Sequence, residues 1–144
     1  MSAPRIFVDT NVVVYAYDAT AGARHEAARA VLLDLWRSGA GLVSTQVLQE
    51  LYVTLTRKIP RPVEPALARE IVEDLATWDV VVNDAGTILQ AVDIAAREKL
   101  SFWDALVVAA AARGGAGLLL SEDLSDGRII EGVTVRDPFR TAPG

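Results

Sequence analysis

Residues 5–9 of this 144-residue chain, with the sequence RIFVD, decide the class of fold. The apolar residues Ile6, Phe7 and Val8 follow one another without a polar break, and the run stops abruptly at Asp9. A short apolar run without period-two alternation is typical of a strand buried on both faces, as in parallel sheets. This segment therefore predicts a central strand that ends on an acidic residue.

Strands and helices are predicted to alternate along the rest of the chain. Apolar and β-branched runs indicate further strands at residues 41–44, 78–83, 117–120 and 133–135. Apolar residues at helical spacing indicate helices at residues 11–17, 21–36, 45–58, 66–77 and 102–113, and another from the N-cap Asp84 to Lys99. Such alternation implies right-handed crossovers. We therefore expect residues 1–144 to form a single α/β domain, a three-layer sandwich whose central, mostly parallel sheet is flanked by helices.

Composition excludes several classes of protein and site. Hydrophobic residues make up 51% of the chain and charged residues 23%, which excludes disorder over most of the length. The chain has no cysteine and only one histidine, His25, which excludes disulfide scaffolds, thiol catalysis and zinc sites built from cysteine or histidine. The net charge of −5 argues against non-specific binding of DNA through a basic surface.

Neither a membrane span nor a signal peptide is predicted. The longest apolar run, residues 105–112, is far shorter than the roughly 20 residues that cross a bilayer. The first residues contain an acid and polar side chains before any long apolar stretch, unlike a signal peptide. We therefore expect a soluble, cytoplasmic protein with no membrane partner.

Four acidic residues are predicted to meet at one edge of the sheet. Asp9 closes the first strand and Asp123 follows the strand at residues 117–120, so both lie beyond the carboxyl ends of parallel strands, where ligands collect. Glu50 lies on the rim of the apolar stripe of its helix, and Asp104 lies in the first turn of a strongly apolar helix. Carboxylates crowded together repel one another unless cations intervene, and Mg²⁺ or Mn²⁺ suits such oxygen ligands.

Each of these acids also has a purely structural explanation. Asp9 suits the N-cap of the following helix, and Asp104 completes a capping box with Ser101. Glu50 suits a helix flank with its carboxylate in water, and Asp123 suits a polar loop. The expected convergence of all four favours a functional site, whereas no single one of them does.

Basic and aromatic residues give weaker indications. Arg57 and Lys58 belong to the densest basic cluster, which suits a solvated helix end and also makes them candidates for contact with phosphate groups. The tryptophans Trp36, Trp78 and Trp103 are expected in the hydrophobic core.

The chain carries four short motifs in order: FVDTN at residues 7–11, TQVLQEL at 45–51, SFWDAL at 101–106 and LSEDL at 120–124. Together they resemble the motifs of PIN-domain ribonucleases, most closely the VapC-type toxins of bacterial type II toxin–antitoxin pairs. The resemblance extends over nearly the whole chain and includes residues 130–133 and 137–139. It implies a PIN-like fold for the predicted three-layer sandwich.

The resemblance assigns roles to individual residues. The near-invariant acids of the family fall here on Asp9, Glu50 and Asp104. A fourth, more variable acid falls on Asp123, with Asp126 and then Glu122 as alternatives in the same loop. Polar positions that support the site fall on Asn11 and Ser121, which are expected to hydrogen-bond the acids or waters on the metal.

The activity implied by the family is that of a metal-dependent endoribonuclease. Mg²⁺ or Mn²⁺ held by the acids would activate a water that hydrolyses RNA phosphodiester bonds, leaving a 5′-phosphate and a 3′-hydroxyl. Glu50 would ligate the metal or orient a bound water, and Arg57 and Lys58 are the candidates for contact with RNA. The implied partners are an RNA substrate, a cognate VapB-like antitoxin and a second copy of the chain in a homodimer.

Three alternatives remain open at this point. A Mg²⁺-dependent phosphohydrolase of the haloacid dehalogenase type also begins with a strand ending in Asp, but it needs a second acid where this chain has Asn11. A non-catalytic PIN-like interaction module would have lost one or more acids, and the three principal positions are all acidic here. A DNA-directed nuclease is compatible with the same site, because carboxylates alone do not recognise the 2′-hydroxyl.

Overall fold

The computed structural model describes residues 4–140, and within them strands and helices alternate as the sequence predicts. The strands are β1 (Arg5–Val8), β2 (Gly41–Ser44), β3 (Asp79–Val81), β4 (Ala116–Leu120), β5 (Ile129–Ile130) and β6 (Val133–Arg136). The helices are α1 (Thr10–Tyr17), α2 (Ala23–Ser38), α3 (Thr45–Arg57), α4 (Pro65–Leu75), α5 (Ala85–Glu98) and α6 (Phe102–Arg113), with a 3-10 turn at Ala19–Ala21. The predicted outer limits of the domain, residues 1 and 144, lie outside the described residues.

The strands form one sheet in the order β3-β2-β1-β4-β6-β5, in which only the β5–β6 pair is antiparallel. The predicted α/β class with a mostly parallel sheet is therefore confirmed. From β1 the chain moves outward to β2 and β3, and then returns to β4 on the other side of β1. The connections thus reverse direction between β1 and β4, and in open α/β sheets such a switch point opens a crevice for ligands.

Helices cover both faces of the sheet. Because parallel crossovers are right-handed, α1 to α4 lie on one face and α5 and α6, which lead back to β4, lie on the other. The packing agrees with this division, since α1 contacts α2 and α3, α3 contacts α4, and α5 packs along α6. The predicted three-layer arrangement is therefore confirmed.

Helix α6 is the most deeply buried of the described helices, and its first turn lies toward the candidate site. Its residues from Ala105 to Ala111 are all buried, and it contacts β2 and β4. A helix that is apolar all round needs such an environment. Its polar first turn, which carries Asp104, therefore emerges at the carboxyl edge of the sheet, where a helix antiparallel to the strands begins.

The short strand β5 was not predicted from the sequence. It pairs with β6 through a two-residue turn in which Glu131 has φ 54° and Gly132 has φ 78°. Two consecutive residues with positive φ, the second of them a glycine, are typical of the turns in tight hairpins. The Glu-Gly pair between apolar β-branched residues was therefore a usable signal for this hairpin.

The prediction that all three tryptophans lie in the core is wrong. The side chain of Trp103 is 64% exposed and that of Trp36 is 40% exposed, whereas Trp78 packs partly buried against the core. The rings of Trp36 and Trp78 meet edge to face, with centroids 5.1 Å apart. A single amphipathic ring can thus cover apolar surface while remaining in contact with water, which composition does not reveal.

Among the described helices, none is long and apolar enough to traverse a bilayer.

A candidate acidic site between β1 and β4

Asp9 forms the buried base of the candidate site. It directly follows β1, is only 7% exposed and caps α1 by accepting a hydrogen bond from the backbone N–H of Thr10 at 2.7 Å. Its other oxygen, Oδ2, accepts a hydrogen bond from the hydroxyl of Ser121 at 2.9 Å. Ser121 is fully buried and directly follows β4. One hydrogen bond thus joins the two strand ends at the switch point.

Asp123 is held beside Asp9 by the two polar residues predicted to support the site. Its backbone N–H donates to the hydroxyl oxygen of Ser121 at 3.2 Å, and its Oδ2 accepts from the Nδ2 of Asn11 at 2.9 Å. Asn11 lies in the first turn of α1. The structure therefore brings Asp9, Asn11, Ser121 and Asp123 into one hydrogen-bonded network.

Burial and like charge act together on Asp9. Burial raises the pKa of its carboxyl from 3.8 to about 6, although hydrogen bonds from Ser121 and the Thr10 N–H partly oppose this effect. The neighbouring carboxylates of Asp123 and Glu50 make smaller contributions to this rise of the pKa. The pKa of Asp123 is also raised, first by burial and then by the charges of Asp104 and Glu122, while the hydrogen bond from Asn11 lowers it.

All four predicted acids are therefore electrostatic neighbours. Asp9 and Asp123 lie at the centre, Glu50 acts on Asp9, and Asp104 acts on Asp123. Glu50 is exposed on α3, and it lines a shallow groove together with Lys58. Lys58, one of the two basic candidates for phosphate contact, thus lies on the same groove as Glu50, about two helical turns further along α3.

Asp104 does not complete the predicted capping box. The hydroxyl of Ser101 accepts a hydrogen bond from the Asp104 N–H at 3.1 Å and caps α6. The reciprocal bond from the Ser101 N–H to the Asp104 carboxylate is absent from the described part of the chain. The cap therefore needs only Ser101, and the Asp104 carboxylate is not explained by capping.

The donor set suits a hard cation, but the acids do not form a finished ligand cluster. Carboxylate, hydroxyl and amide oxygens are what Mg²⁺ and Mn²⁺ prefer. As the side chains lie, no three histidine, aspartate or glutamate side chains within residues 4–140 are close enough to share an ion. An ion held by three or more of these acids would draw the carboxylates closer together than they are.

The alternative loop acids are engaged elsewhere. An oxygen of Asp126 accepts from the Asp137 N–H at 2.9 Å, and its other oxygen lies 3.9 Å from Arg140. Glu122 accepts from the hydroxyl of Tyr15 at 2.7 Å and from the Nε of Arg24 at 2.9 Å. Burial raises the pKa of Glu122, but these two hydrogen bonds and the Arg24 charge outweigh it and hold that pKa below its usual range. These contacts favour Asp123 as the fourth acid of the site.

Two buried polar residues near the same edge were not singled out from the sequence. The hydroxyl oxygen of Thr10 and the Oε1 of Gln46 are buried and have no hydrogen-bond partner among the described residues. Both residues lie at the starts of helices that follow strands β1 and β2. Gln46 also donates from Nε2 to the carbonyl oxygen of Trp103 at 3.4 Å, linking α3 to the start of α6. Their positions directly after predicted strands were a signal that could have identified them.

Comparisons with solved structures find several proteins with the same fold, and one of them is described as a toxin. The VapC20 toxin of Mycobacterium tuberculosis, described as cleaving the sarcin–ricin loop, is 26% identical, with a TM-score of 0.61 over 79% of this chain and 86% of its own. DNA-bound VapBC from Salmonella typhimurium is 18% identical, with a TM-score of 0.64 over 94% of this chain and 99% of that one. FitAB bound to a DNA fragment is 17% identical, with a TM-score of 0.68 over 96% and 98%.

A comparison with curated proteins finds no match. The family model described as PIN domain matches residues 6–125. The match contains the acids at the ends of β1 and β4 and those on α3 and α6, together with the strands β1 to β4 that position them. Because the model covers most of the sequence, the chain belongs to the PIN domain family.

Proposed function

We propose that the chain is a metal-dependent endoribonuclease that acts as the toxin of a toxin–antitoxin pair. The observation that carries this proposal is the meeting of Asp9 and Asp123 through Ser121 at the β1–β4 switch point, with the charges of Glu50 and Asp104 beside them. The similarity to VapC20, a toxin that cleaves an RNA loop, supports RNA as the substrate.

Asp9, Asp104 and Asp123 are the proposed ligands of Mg²⁺ or Mn²⁺, and Glu50 either ligates the ion or orients a bound water. A divalent ion there would lower the pKa of a water and stabilise charge on the scissile phosphate. Asn11 and Ser121 hold the carboxylates of Asp123 and Asp9 in place through the hydrogen bonds described above. The proposal requires the acids to approach one another on binding, because they do not form a ligand cluster as they lie.

Basic residues beside the site are proposed to guide RNA. Lys58 lines the same groove as Glu50, and Arg57 is the last residue of α3. A positive charge near a cluster of acids can bind phosphate while the protein as a whole remains acidic, at a net charge of −5. We expect this local attraction to weaken with salt, as contacts with phosphate do.

The proposed partners follow from the toxin–antitoxin complexes with the same fold. VapBC and FitAB are complexes bound to DNA, which supports a VapB-like antitoxin as a partner of this chain. We also propose a homodimer and a cytoplasmic location. Family membership removes the haloacid-dehalogenase-type alternative, whereas a non-catalytic PIN-like module stays a second candidate until cleavage is measured.

Cleavage of RNA by the purified chain tests the proposed activity. We expect Mn²⁺-dependent cleavage of a structured RNA, and we expect Asp9→Asn to reduce the rate by at least about 100-fold because it removes a ligand charge. Asn can keep the hydrogen bond from Thr10 and donate to Ser121, so the fold is expected to survive. Asp93→Asn, on the exposed side of α5, is the matched control. An Asp9→Asn protein with the wild-type rate would exclude Asp9 from the site.

Growth of bacteria that express the chain tests the toxin role separately. We expect the chain alone to arrest growth and Glu50→Gln to relieve the arrest, because the amide weakens metal binding. Viable counts after induction provide the measurement. Normal growth with active wild-type nuclease would contradict the toxin role and leave the nuclease activity intact.

A further inference from the structure

Helix α1 hydrogen-bonds the loop that follows β4 at two points. Asn11 hydrogen-bonds the Asp123 carboxylate, and Tyr15 hydrogen-bonds the Glu122 carboxylate through its hydroxyl at 2.7 Å. Residues four apart lie on the same face of a helix, one turn from each other. One face of α1 therefore holds two consecutive acids of the loop, and only the second belongs to the acidic site.

Arg24 closes this arrangement from the start of α2. Its Nε donates to the second oxygen of Glu122 at 2.9 Å, so both oxygens of that carboxylate are bound. The guanidinium carbon lies 5.9 Å from the ring centre of Tyr15 and 5.7 Å from that of Phe139. The two rings meet edge to face at 5.2 Å. Arg24, whose side chain is 53% exposed, thus contacts one carboxylate and two aromatic rings.

We refer to the contacts of Tyr15 and Arg24 with the Glu122 carboxylate as the clamp. The electrostatics of the site supply a reason for it. Asp123 is an exposed residue whose carboxylate lies near those of Asp104 and Glu122, so like-charge repulsion favours a loop that turns this carboxylate further into water. Glu122 on one side of Asp123 is clamped, and Leu124 on the other side is buried, with 7% of its surface exposed. Both neighbours therefore resist the movement that the repulsion favours.

We propose that Tyr15, Arg24 and Glu122 are positioning residues that hold the loop so that the Asp123 carboxylate faces Asp9 and is ready to ligate a divalent ion. This inference rests on the proposed function, because it assigns the clamp to the same metal site. Isolated surface ion pairs contribute little to stability. Here the carboxylate is only 18% exposed and receives two hydrogen bonds, one of them charge-assisted, which fixes its geometry.

The affinity of the full chain for Mn²⁺, measured by calorimetry, tests the clamp. We expect Arg24→Met to weaken binding about tenfold, as loss of residues that orient metal ligands does. Arg24→Lys keeps one charged donor, and Tyr15→Phe leaves Arg24 in place, so each is expected to give a smaller loss. Arg29→Met is the matched control, since Arg29 is exposed on α2 and five residues further along, on another face.

A double-mutant cycle separates positioning from a merely structural role. If Arg24 acts through Asp123, Arg24→Met is expected to change Mn²⁺ affinity little in an Asp123→Asn background, because the effects of coupled residues do not add. A structural role alone would lower the melting temperature without metal and leave Mn²⁺ affinity unchanged.

The outcomes distinguish this inference from the proposed function. Wild-type Mn²⁺ affinity in both Arg24→Met and Tyr15→Phe would overturn the clamp while the nuclease stands. A full tenfold loss in the Asp123→Asn background would also overturn it. A wild-type chain that binds Mn²⁺ but cleaves no RNA would overturn the nuclease, and the clamp would still be decided by the affinities of Arg24→Met and Tyr15→Phe. A chain that binds no Mn²⁺ would overturn both.

Discussion

Asp9 is the residue at which burial and charge oppose each other most strongly. Its carboxyl is almost completely buried, and it accepts two hydrogen bonds that favour the ionised form. Burial nevertheless dominates and, with the nearby carboxylates, raises its pKa to about 6. The folded protein therefore binds a proton at this position more tightly than the unfolded chain does, and the ionised site destabilises the fold until a cation compensates.

The free energy of unfolding is expected to fall as pH rises from about 4 to about 6 because of Asp9. In this window the unfolded chain, with an ordinary pKa of 3.8, has lost a proton that the folded chain still holds. Asp9→Asn removes the effect, and we expect it to raise the free energy of unfolding at pH 7, without divalent ions, by up to about 3 kcal/mol. Urea unfolding of both proteins from pH 4 to pH 7.5 measures the difference.

The comparison with Asp9→Asn separates the effect of Asp9 on stability from that of groups whose pKa is shifted in the opposite direction. Asp84, whose pKa is lowered by hydrogen bonds from Thr87, contributes equally in both proteins. A stability difference between the two proteins that does not change with pH across this window would contradict the raised pKa of Asp9.

At the scale of elements, the sequence predicts which segments form strands and helices better than it predicts how loops are directed. Apolar runs and caps such as Ser101 act locally, so the elements could be predicted, and with them the positions of Asp9 and Asp123 after neighbouring parallel strands. The direction of Glu122 could not, because it depends on Tyr15 and Arg24, which lie 107 and 98 positions away in the chain. Three acids within five positions of one loop look equivalent until such distant partners are known.

The close approach of α6 to the sheet at its far end gives a test of packing that is separate from the site. A Cβ on Gly114 would overlap Cδ1 of Leu42 and would lie 2.9 Å from Cγ2 of Val81. Overpacking of this kind costs about 1–3 kcal/mol, so we expect Gly114→Ala to lower the urea midpoint. Because Gly114 and Asp104 lie at opposite ends of α6, roughly 15 Å apart, we expect Mn²⁺ affinity to stay unchanged.

Gly117→Ala is the matched control for this substitution. Among residues 4–140, its Cβ would meet only the Cβ of Pro4, at 3.4 Å, an ordinary contact. Equal stability of Gly114→Ala and Gly117→Ala would show that the end of α6 is packed less closely than the structure indicates.

At the scale of the whole molecule, the acidic site links parts of the fold that are distant in sequence. Its acids come from the end of β1, from α3, from the start of α6 and from the loop after β4, so their mutual repulsion acts between elements that the core holds together. The interior packing of β1, β4 and α6 balances this repulsion. Neutralising the acids would therefore stabilise the whole fold as well as the loop at the site.

Binding of Mn²⁺ is accordingly expected to raise the melting temperature at pH 7. A ligand at about 100 times its dissociation constant adds about 2.7 kcal/mol to the free energy of unfolding. For a protein of this size that corresponds to roughly 5–10 °C. The Asp9→Asn/Asp104→Asn double variant is expected to melt higher than wild type without metal and to lose most of the shift with it, because repulsion and affinity have the same source. Differential scanning fluorimetry against Mn²⁺ concentration measures both effects, and an equal shift in the double variant would place the ion away from the β1–β4 switch point.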